Sequence, residues 1–238
     1  MTLENRTVVI AGASGGIGSQ LVADLGHAGA NLALLEREPA KLASLVQSLG
    51  LQDRSVFTHP VDLLDGDAAR SAAGAVLARY GRVDALIHVV GGWVGGKTLV
   101  DTPAADVVSM LNQHVWTTFN ALQAFVPHLV ANQWGRILAI GTPAATRPNA
   151  KGSAYAAGKA GQEALMLTLS QELKGTGVTA NLLLVRTIDN KREKVSSPKP
   201  ENSNWSTPEE LSSVVQFFLS DAAATINGAK LPVFGSYG

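Results

Sequence analysis

The sequence has no cysteine among its 238 residues, and its charges cancel, with 19 basic and 19 acidic side chains. The absence of thiols excludes disulfides, thiolate zinc sites and cysteine nucleophiles, and it is compatible with a reducing compartment. Zero net charge provides no long-range basic field, so we expect no nucleic-acid partner. Hydrophobic residues make up 46% of the chain, which is enough to build a sizeable core.

The sequence also has no signal-like N-terminus and no long apolar run. The segment MTLENRTVVIAG lacks the charged-then-apolar pattern of a secretory signal, and no apolar run approaches the length of a membrane span. We therefore expect a cytoplasmic protein without membrane contact. We also expect no metal site.

Short apolar runs alternate with helical patterns along the whole chain. Strands are predicted at 7–12, 30–37, within 55–65, and at 83–92, 135–142, 178–185 and 230–235. Helices are predicted at 17–29, 39–50, 67–81, 103–133, 152–177 and 207–221, with a late kink or restart at Pro127. Because several strands are almost entirely apolar, the pattern predicts a parallel sheet covered by helices on both faces. We predict one α/β domain over residues 1–238, with a polar, mobile substrate loop at about 189–206.

A glycine-rich turn, AGASGGIGSQL (11–21), lies between the first predicted strand and the first predicted helix. In that context Gly12 permits a tight turn, Gly16 lets the backbone approach a pyrophosphate, and Gly18 lets the helix pack close to the strand. The helix N-terminus would offer unpaired N–H groups to the phosphates. A merely structural turn is the alternative, and the strand–turn–helix order favours dinucleotide binding.

The spacing of Gly12, Gly16 and Gly18 resembles that of the short-chain dehydrogenase/reductase family, and the resemblance covers nearly the whole chain. Tyr155 and Lys159 look like the Y-x-x-x-K pair of that family. The resemblance implies a doubly wound Rossmann fold with seven strands in a mostly parallel sheet. It also implies a nicotinamide cofactor and a homotetramer or homodimer.

Further positions carry the same resemblance. Thr142, thirteen residues before the tyrosine, falls where the family has its catalytic serine, and Asn112 matches the helix asparagine of the catalytic tetrad. Asp62 looks like the aspartate that contacts adenine. The cofactor-binding residues expected on these grounds are Gly12, Ser14, Gly15, Gly16, Ile17, Gly18, Glu36, Arg37, Asp62, Leu63, Val90, Gly91, Gly92, Tyr155, Lys159, Thr187 and Ile188.

Tyr155 and Lys159 are four residues apart on a predicted helix and therefore share a face. Lowering a tyrosine pKa from about 10 to about 7 requires roughly 4 kcal/mol of phenolate stabilisation. A neighbouring ammonium and an oxidised nicotinamide can supply much of it. We expect Tyr155 to give or take the proton that accompanies hydride transfer. The alternative is a helix-surface tyrosine beside a solvated lysine.

Thr142 retains the hydroxyl that would orient a substrate carbonyl, although it could equally be a structural threonine at a strand end. Cofactor choice depends on Glu36 and Arg37 at the end of the second strand. A carboxylate there accepts hydrogen bonds from the ribose 2′-OH and repels a 2′-phosphate, which favours NAD(H). NADP(H) stays open, because Arg37 could bind that phosphate instead.

The loop HVVGGWVGGKT (88–98) places one large side chain, Trp93, among four glycines. We expect the substrate to contact Trp93, Thr142 and Tyr155, with the indole as a flat wall; plain packing of Trp93 is the alternative. The main expectation is an oxidoreductase of class EC 1.1.1.- for a small carbonyl or alcohol, including 3-oxoacyl substrates. The alternatives are a reductase similar to dihydropteridine reductase, a branch of the same family, and a non-catalytic dinucleotide-binding redox sensor.

Overall fold

A parallel sheet runs through the centre of the computed structural model, which describes residues 3–50 and 55–234. Its strands are β1 (Thr7–Ala11), β2 (Asn31–Glu36), β3 (Val56–Pro60), β4 (Ala85–His88), β5 (Gly135–Gly141), β6 (Val178–Leu184) and β7 (Lys230–Pro232). They lie in the order β3-β2-β1-β4-β5-β6-β7, and each neighbouring pair is parallel. The predicted seven-stranded Rossmann sheet is confirmed, and it is parallel throughout.

Helices connect successive strands. They are α1 (Gly16–His27), α2 (Pro39–Ser48), α3 (Gly66–Tyr80), α4 (Ala104–Leu111), α5 (Thr117–Ala131), α6 (Ser153–Glu172), α7 (Glu193–Ser196) and α8 (Pro208–Phe218). The helix predicted over 103–133 is divided, but not at Pro127, which lies inside α5. The division is a π-helical turn, Asn112–Trp116, referred to below as the π turn.

The helices cover both faces of the sheet, as predicted. Successive side chains of β1 alternate between two buried clusters, because strand residues point to opposite faces. Val8 and Ile10 belong to the cluster beneath α1 and α8, whereas Val9 and Ala11 belong to the cluster that contains Phe125 of α5. Over the described residues, no helix is both long enough and apolar enough to cross a membrane.

Several predicted boundaries were too generous. The strand predicted at 83–92 is regular only over Ala85–His88, and the glycine-rich remainder forms an irregular loop. The helix predicted to end at 177 ends at Glu172. The last strand ends at Pro232, and the final predicted residue, Gly235, lies outside the described residues.

The sheet topology determines where a ligand can bind. The chain builds outward from β1 to β3, then returns to place β4 on the opposite side of β1. In open α/β sheets this reversal opens a crevice at the carboxyl ends of the two strands. The glycine-rich turn and the loop after β4 both start at that edge.

The polar segment 189–206 also starts from the carboxyl edge, after β6, and it is tied down at several points. The Asp189 carboxylate accepts hydrogen bonds from the backbone N–H groups of Glu193 and Lys194, each at 2.8 Å. The Lys194 ammonium pairs with Glu210 of α8 at 2.6 Å. The mobility of this segment stays a prediction.

Candidate active site

The glycine-rich turn packs too tightly for side chains at two of its positions. Gly12 has φ +87°, and a Cβ added there would lie 2.9 Å from the backbone nitrogen of Val90. A Cβ on Gly18 would lie 2.4 Å from the carbonyl oxygen of Gly12. The N-terminus of α1 therefore sits directly beside the end of β1 and faces the crevice.

A cavity of about 460 Å³ opens next to this turn. Many of the predicted cofactor residues line it, namely Gly12, Ser14, Gly15, Glu36, Arg37, Asp62, Leu63, Val90 and Gly91. The structure thus brings together the turn after β1, the end of β2 and the loops after β3 and β4, whose residues lie up to 79 positions apart in the chain.

The Glu36 carboxylate is fixed at the rim of this cavity. The Ser14 hydroxyl donates a short hydrogen bond to Oε2, and the backbone N–H of Arg37 donates to Oε1 at 2.8 Å. The carboxylate therefore points toward the glycine-rich turn, while Arg37 is exposed.

Tyr155 and Thr142 meet at the carboxyl end of β5. Thr142 is buried directly after the strand, and Tyr155 is half-buried in the first turn of α6. Burial raises the pKa of Tyr155, and a hydrogen-bonding interaction with the Thr142 side chain opposes this rise. The side chains around Tyr155 therefore do not by themselves produce the lowered tyrosine pKa that the sequence predicts.

Lys159 lies one helical turn beyond Tyr155 and is buried. Its Nζ donates to the carbonyl oxygen of Ile140 at 2.7 Å and to Oε1 of Gln162 at 2.9 Å. Burial without a carboxylate partner in these hydrogen bonds lowers the pKa of Lys159 to about 7. The lysine can consequently gain or lose a proton near neutrality.

His114, in the π turn, is a site residue that no pattern in the sequence indicates. Its ring stands nearly perpendicular to that of Tyr155, at 81° with centroids 5.5 Å apart. Its Nε2 lies 3.0 Å from the carbonyl oxygen of Gly92, which can only accept, so Nε2 carries the proton. Burial lowers the pKa of His114 to about 3, so the ring is neutral and its Nδ1, buried and without a hydrogen bond, is a bare acceptor.

Asn112 was predicted to join the catalytic group, but it lies two residues earlier, at the start of the π turn. Within the part of the chain that the structure describes, its side chain forms no hydrogen bond, and His114 is the residue of this turn that contacts the Tyr155 ring edge-to-face. The widened turn changes which side chains face α6, because a π turn contains more residues than an α-helical turn. A catalytic role for Asn112 has no contact to support it.

A second buried histidine, His88, ends β4. Its Nε2 lies 3.3 Å from the hydroxyl of Thr117, whose hydrogen is donated to the carbonyl oxygen of Gln113 at 2.7 Å. His88 must therefore donate through Nε2. Burial, with smaller contributions from Lys159 and His114, lowers its pKa to about 3.

The segment after β6 contributes a further unpredicted residue, Asn190. A Cβ on Gly16 would lie 1.8 Å from its Oδ1, so the amide lies against the glycine-rich turn. Thr187 and Ile188, which are predicted to bind the cofactor, lie three and two residues before it, and Ile188 pairs with Ser206 in an isolated parallel bridge. The amide of Asn190 thus lies at the N-terminus of α1.

Trp93 lies on the loop after β4 and is 66% exposed. Its indole packs over Gly95, where a Cβ would come within 2.7 Å of the ring. The next glycine, Gly96, donates its N–H to the carbonyl oxygen of Lys151 at 2.8 Å. The loop that carries Trp93 is thereby joined to the segment just before α6, although Trp93 does not line the cavity described above.

A protein-family model described as short chain dehydrogenase matches residues 6–199. The chain belongs to the short-chain dehydrogenase/reductase family. It is 26% identical over 247 residues to 2,3-dihydroxy-2,3-dihydro-p-cumate dehydrogenase of Pseudomonas putida, covering 99% of this chain and 95% of the relative. It is 24% identical over 243 residues to 3-oxoacyl-[acyl-carrier-protein] reductase of Thermotoga maritima, covering 99% and 98%. The crystal structure of gox2181 superposes with a TM-score of 0.88 and 25% identity, over 98% of this chain and 95% of that one.

Membership of this family makes the chain an oxidoreductase of the short-chain type. The resemblance inferred from the glycine spacing and the Tyr155–Lys159 pair is confirmed. The comparisons give no support to the dihydropteridine reductase alternative.

Proposed function

We propose that this protein transfers hydride between a nicotinamide cofactor, NAD(H), and a small carbonyl or alcohol, with Tyr155 as the general acid or base. The observation that carries this proposal is the grouping of Tyr155, Thr142 and Lys159 at the carboxyl edge of the sheet. The three side chains lie next to the loop that follows β4. This strand pairs with β1, which precedes the glycine-rich turn, and with β5.

The residues at the crevice fit a dinucleotide. The cavity of about 460 Å³ beside the turn is lined by residues that the motif assigns to a nucleotide, and the close packing at Gly12 and Gly18 leaves the N-terminus of α1 beside it. Backbone N–H groups at a helix N-terminus would bind the phosphates. Glu36 would hold the adenosine ribose, Asp62 would contact the adenine, and the N-terminus of α1 with Asn190 would hold the diphosphate. A bound nicotinamide supplies or accepts the hydride.

The protein side chains supply the proton and the charge. In the reductive direction Tyr155 donates its hydroxyl proton to the substrate oxygen, and the Thr142 hydroxyl hydrogen-bonds the same oxygen and orients it. Burial raises the pKa of Tyr155, so the neutral tyrosine is the stable form before the reaction. The Lys159 ammonium, one turn away, stabilises the phenolate that the transfer leaves behind.

The preference for NAD(H) over NADP(H) rests on Glu36. Its carboxylate is held in place by Ser14 and by the backbone N–H of Arg37, so turning it away would break two hydrogen bonds. A fixed carboxylate accepts from the ribose 2′-OH and repels a 2′-phosphate. Two cations, Arg37 and Lys41, line the cavity near Glu36 and would favour the phosphate, and Lys41 is paired with Glu38 at 2.6 Å.

The substrate proposal stays at the level of a carbonyl or alcohol. One of the two relatives described above is named as a dehydrogenase of a dihydrodiol and the other as a reductase of a 3-oxoacyl group. These names support both directions of the same chemistry without selecting a substrate. Trp93, exposed on the loop after β4, would form one wall of the substrate site.

A cytoplasmic homodimer or homotetramer completes the proposal. The outer surface of α4 and the π turn exposes apolar side chains, with Val108 at 54% and Trp116 at 52% exposure. Exposed apolar side chains on these two consecutive elements support an interface between copies, because association would remove their apolar area from water.

The test is a screen of ketones, 3-oxoacyl thioesters and secondary alcohols with each nicotinamide cofactor, comparing the wild type with Tyr155→Phe. We expect turnover by the wild type and a loss of at least about a hundredfold in kcat in the variant. Tyr80→Phe is the matched control, because the Tyr80 hydroxyl bonds to the carbonyl oxygens of Leu32 and Ser55 away from the site. Full activity in Tyr155→Phe would refute the mechanism, and tight cofactor binding without any turnover would favour the redox-sensor alternative.

A further inference from the structure

Behind Tyr155, a chain of hydrogen bonds connects Lys159 to the backbone of His114. Lys159 Nζ donates to Gln162 Oε1 at 2.9 Å, and Gln162 Nε2 donates to the Thr118 hydroxyl at 3.0 Å. The Thr118 hydroxyl donates to the carbonyl oxygen of His114 at 2.6 Å. All four residues are buried, with at most 6% of any of them exposed.

The direction of each bond is fixed by chemistry. An ammonium can only donate, so Gln162 must present its oxygen to Lys159 and its NH₂ to Thr118. Thr118 has one hydrogen, and that hydrogen goes to His114. Reversing any member would leave a buried donor facing a donor, which costs free energy because nothing replaces the lost bond.

The far end of the chain reaches Tyr155 through the His114 ring. The ring occupies the space beside two glycines: a Cβ on Gly91 would lie 2.6 Å from its Cε1, and a Cβ on Gly158 would lie 3.1 Å from its Cδ2. It is therefore held between the loop after β4 and the helix that carries Tyr155 and Lys159. The hydrogen-bonded chain and the His114 ring therefore lie on the buried side of Tyr155 and Lys159.

We propose that Gln162 and Thr118 are positioning residues for the reaction, and that their hydrogen-bonded chain holds the Lys159 ammonium and the His114 backbone in fixed relation to Tyr155. This inference rests on the function proposed above, and it assigns roles to two residues outside the Tyr155–Lys159–Thr142 group. A buried leucine at 162 would satisfy packing alone, whereas a glutamine there supplies an acceptor to the ammonium.

The acceptor at Gln162 stabilises the charged form of the lysine. Among the residues that the structure describes, Lys159 has two acceptors, the carbonyl oxygen of Ile140 and Gln162 Oε1, and neither carries a charge. The titratable groups beside it are His88 from β4, His114 from the π turn and Tyr155 on its own helix, all neutral at pH 7. Gln162 is therefore one of the few groups able to set the pH at which the site loses its cation.

The first experiment measures Lys159 directly, by NMR titration of its ¹⁵N-labelled side chain, assigned with Lys159→Arg. Gln162→Leu removes the acceptor and is expected to lower the lysine pKa by about one unit or more, as expected for losing a hydrogen bond to a charged group. Gln162→Glu keeps the shape, adds a negative charge and is expected to raise the pKa by about one unit or more. Thr118→Val is expected to shift it in the same direction as Gln162→Leu, by less.

The second experiment follows kcat for carbonyl reduction against pH. Activity that needs the ammonium declines as pH rises through the lysine pKa, so this alkaline decline should move to lower pH in Gln162→Leu and to higher pH in Gln162→Glu. Ser170→Ala is the control, because Ser170 is buried on the same helix and donates to the carbonyl oxygen of Leu167, outside the chain. Its profile should match the wild type.

Opposite shifts in the two Gln162 variants support positioning, since a merely structural residue would move neither profile. Equal titrations in wild type, Gln162→Leu and Gln162→Glu would overturn the inference. If Gln162→Leu does not fold, Gln162→Glu decides the question alone. If the NMR shifts are opposite but the protein turns over no carbonyl, the proposed function is refuted and the effect of Gln162 on Lys159 is retained. If the protein turns over a carbonyl with unshifted pH profiles, the positioning role of Gln162 and Thr118 is refuted.

Discussion

Acid should destabilise this protein well above the pH at which carboxylates titrate, because two buried histidines are held neutral. The pKa values of His88 and His114 are lowered from 6.5 to about 3, mainly by burial. In the unfolded chain both rings would bind protons below pH 6.5, whereas the folded protein resists protonation down to about 3. These two histidines therefore do not reduce the free energy of unfolding above pH 6.5, and they reduce it progressively as the pH falls from 6.5 toward 3.

The magnitude follows from the shift. Between pH 6.5 and pH 5 each histidine costs about 2 kcal/mol, at about 1.4 kcal/mol per pH unit, so the pair costs about 4 kcal/mol. That is a large share of the roughly 5–15 kcal/mol by which native proteins are stable. Lys159 contributes little over the same range: its pKa of about 7 leaves it half-protonated in the folded state at pH 7 and protonated in both states at pH 5, a difference of about 0.4 kcal/mol.

The assay is urea unfolding followed by tryptophan fluorescence at pH 7.0, 6.0, 5.5 and 5.0, at one protein concentration so that association does not vary. We expect the wild type to lose about 4 kcal/mol of unfolding free energy from pH 7 to pH 5. His88→Gln and His114→Gln should each lose about half as much, and the double variant should be nearly flat. A flat wild-type profile, or a double variant with the wild-type slope, would refute the account of these two residues.

The remaining predictions concern binding. Gly18→Ala places a methyl 2.4 Å from the Gly12 carbonyl oxygen, so the turn must open to accommodate it. A fluorescence titration should then show NADH affinity reduced by about tenfold or more. An unchanged Kd would contradict this prediction. Glu36→Gln should shift the ratio of NADH to NADPH affinity toward NADPH by about tenfold, because it removes a charge that repels the 2′-phosphate. If the wild type already binds NADPH more tightly, that reasoning is wrong. Trp93→Ala should raise KM for the substrate without changing NADH affinity, and an unaltered KM would leave Trp93 as a packing residue.

The sheet could be predicted from sequence because its strands are short, apolar and separated by helical patterns. A series of apolar strands alternating with helices is compatible with few architectures other than a parallel sheet covered on both faces. The glycine-rich turn and the Tyr155–Lys159 pair could also be predicted from sequence. Each depends on local geometry, which requires particular residue types at fixed spacings along the chain.

The rest of the site depends on features that have no local pattern. The segment 103–133 reads as uniform helix, so nothing in it indicated that the π turn would bring His114 against Tyr155. Gln162 and Thr118 look like ordinary polar helix residues until the packing of α5 on α6 buries them together. Asn190 lies against the glycine-rich turn only because the segment after β6 folds back over it.

The most direct test of the central claim is deuteride transfer, measured by mass spectrometry of the alcohol formed from a carbonyl substrate with NADH deuterated at C4. The wild type should place one deuterium on the carbonyl carbon, and Tyr155→Phe should do so at least about a hundredfold more slowly. Transfer at the wild-type rate by Tyr155→Phe would contradict the mechanism. Failure of the wild type to label any carbonyl, with deuterated NADH or NADPH, would contradict the proposed activity itself.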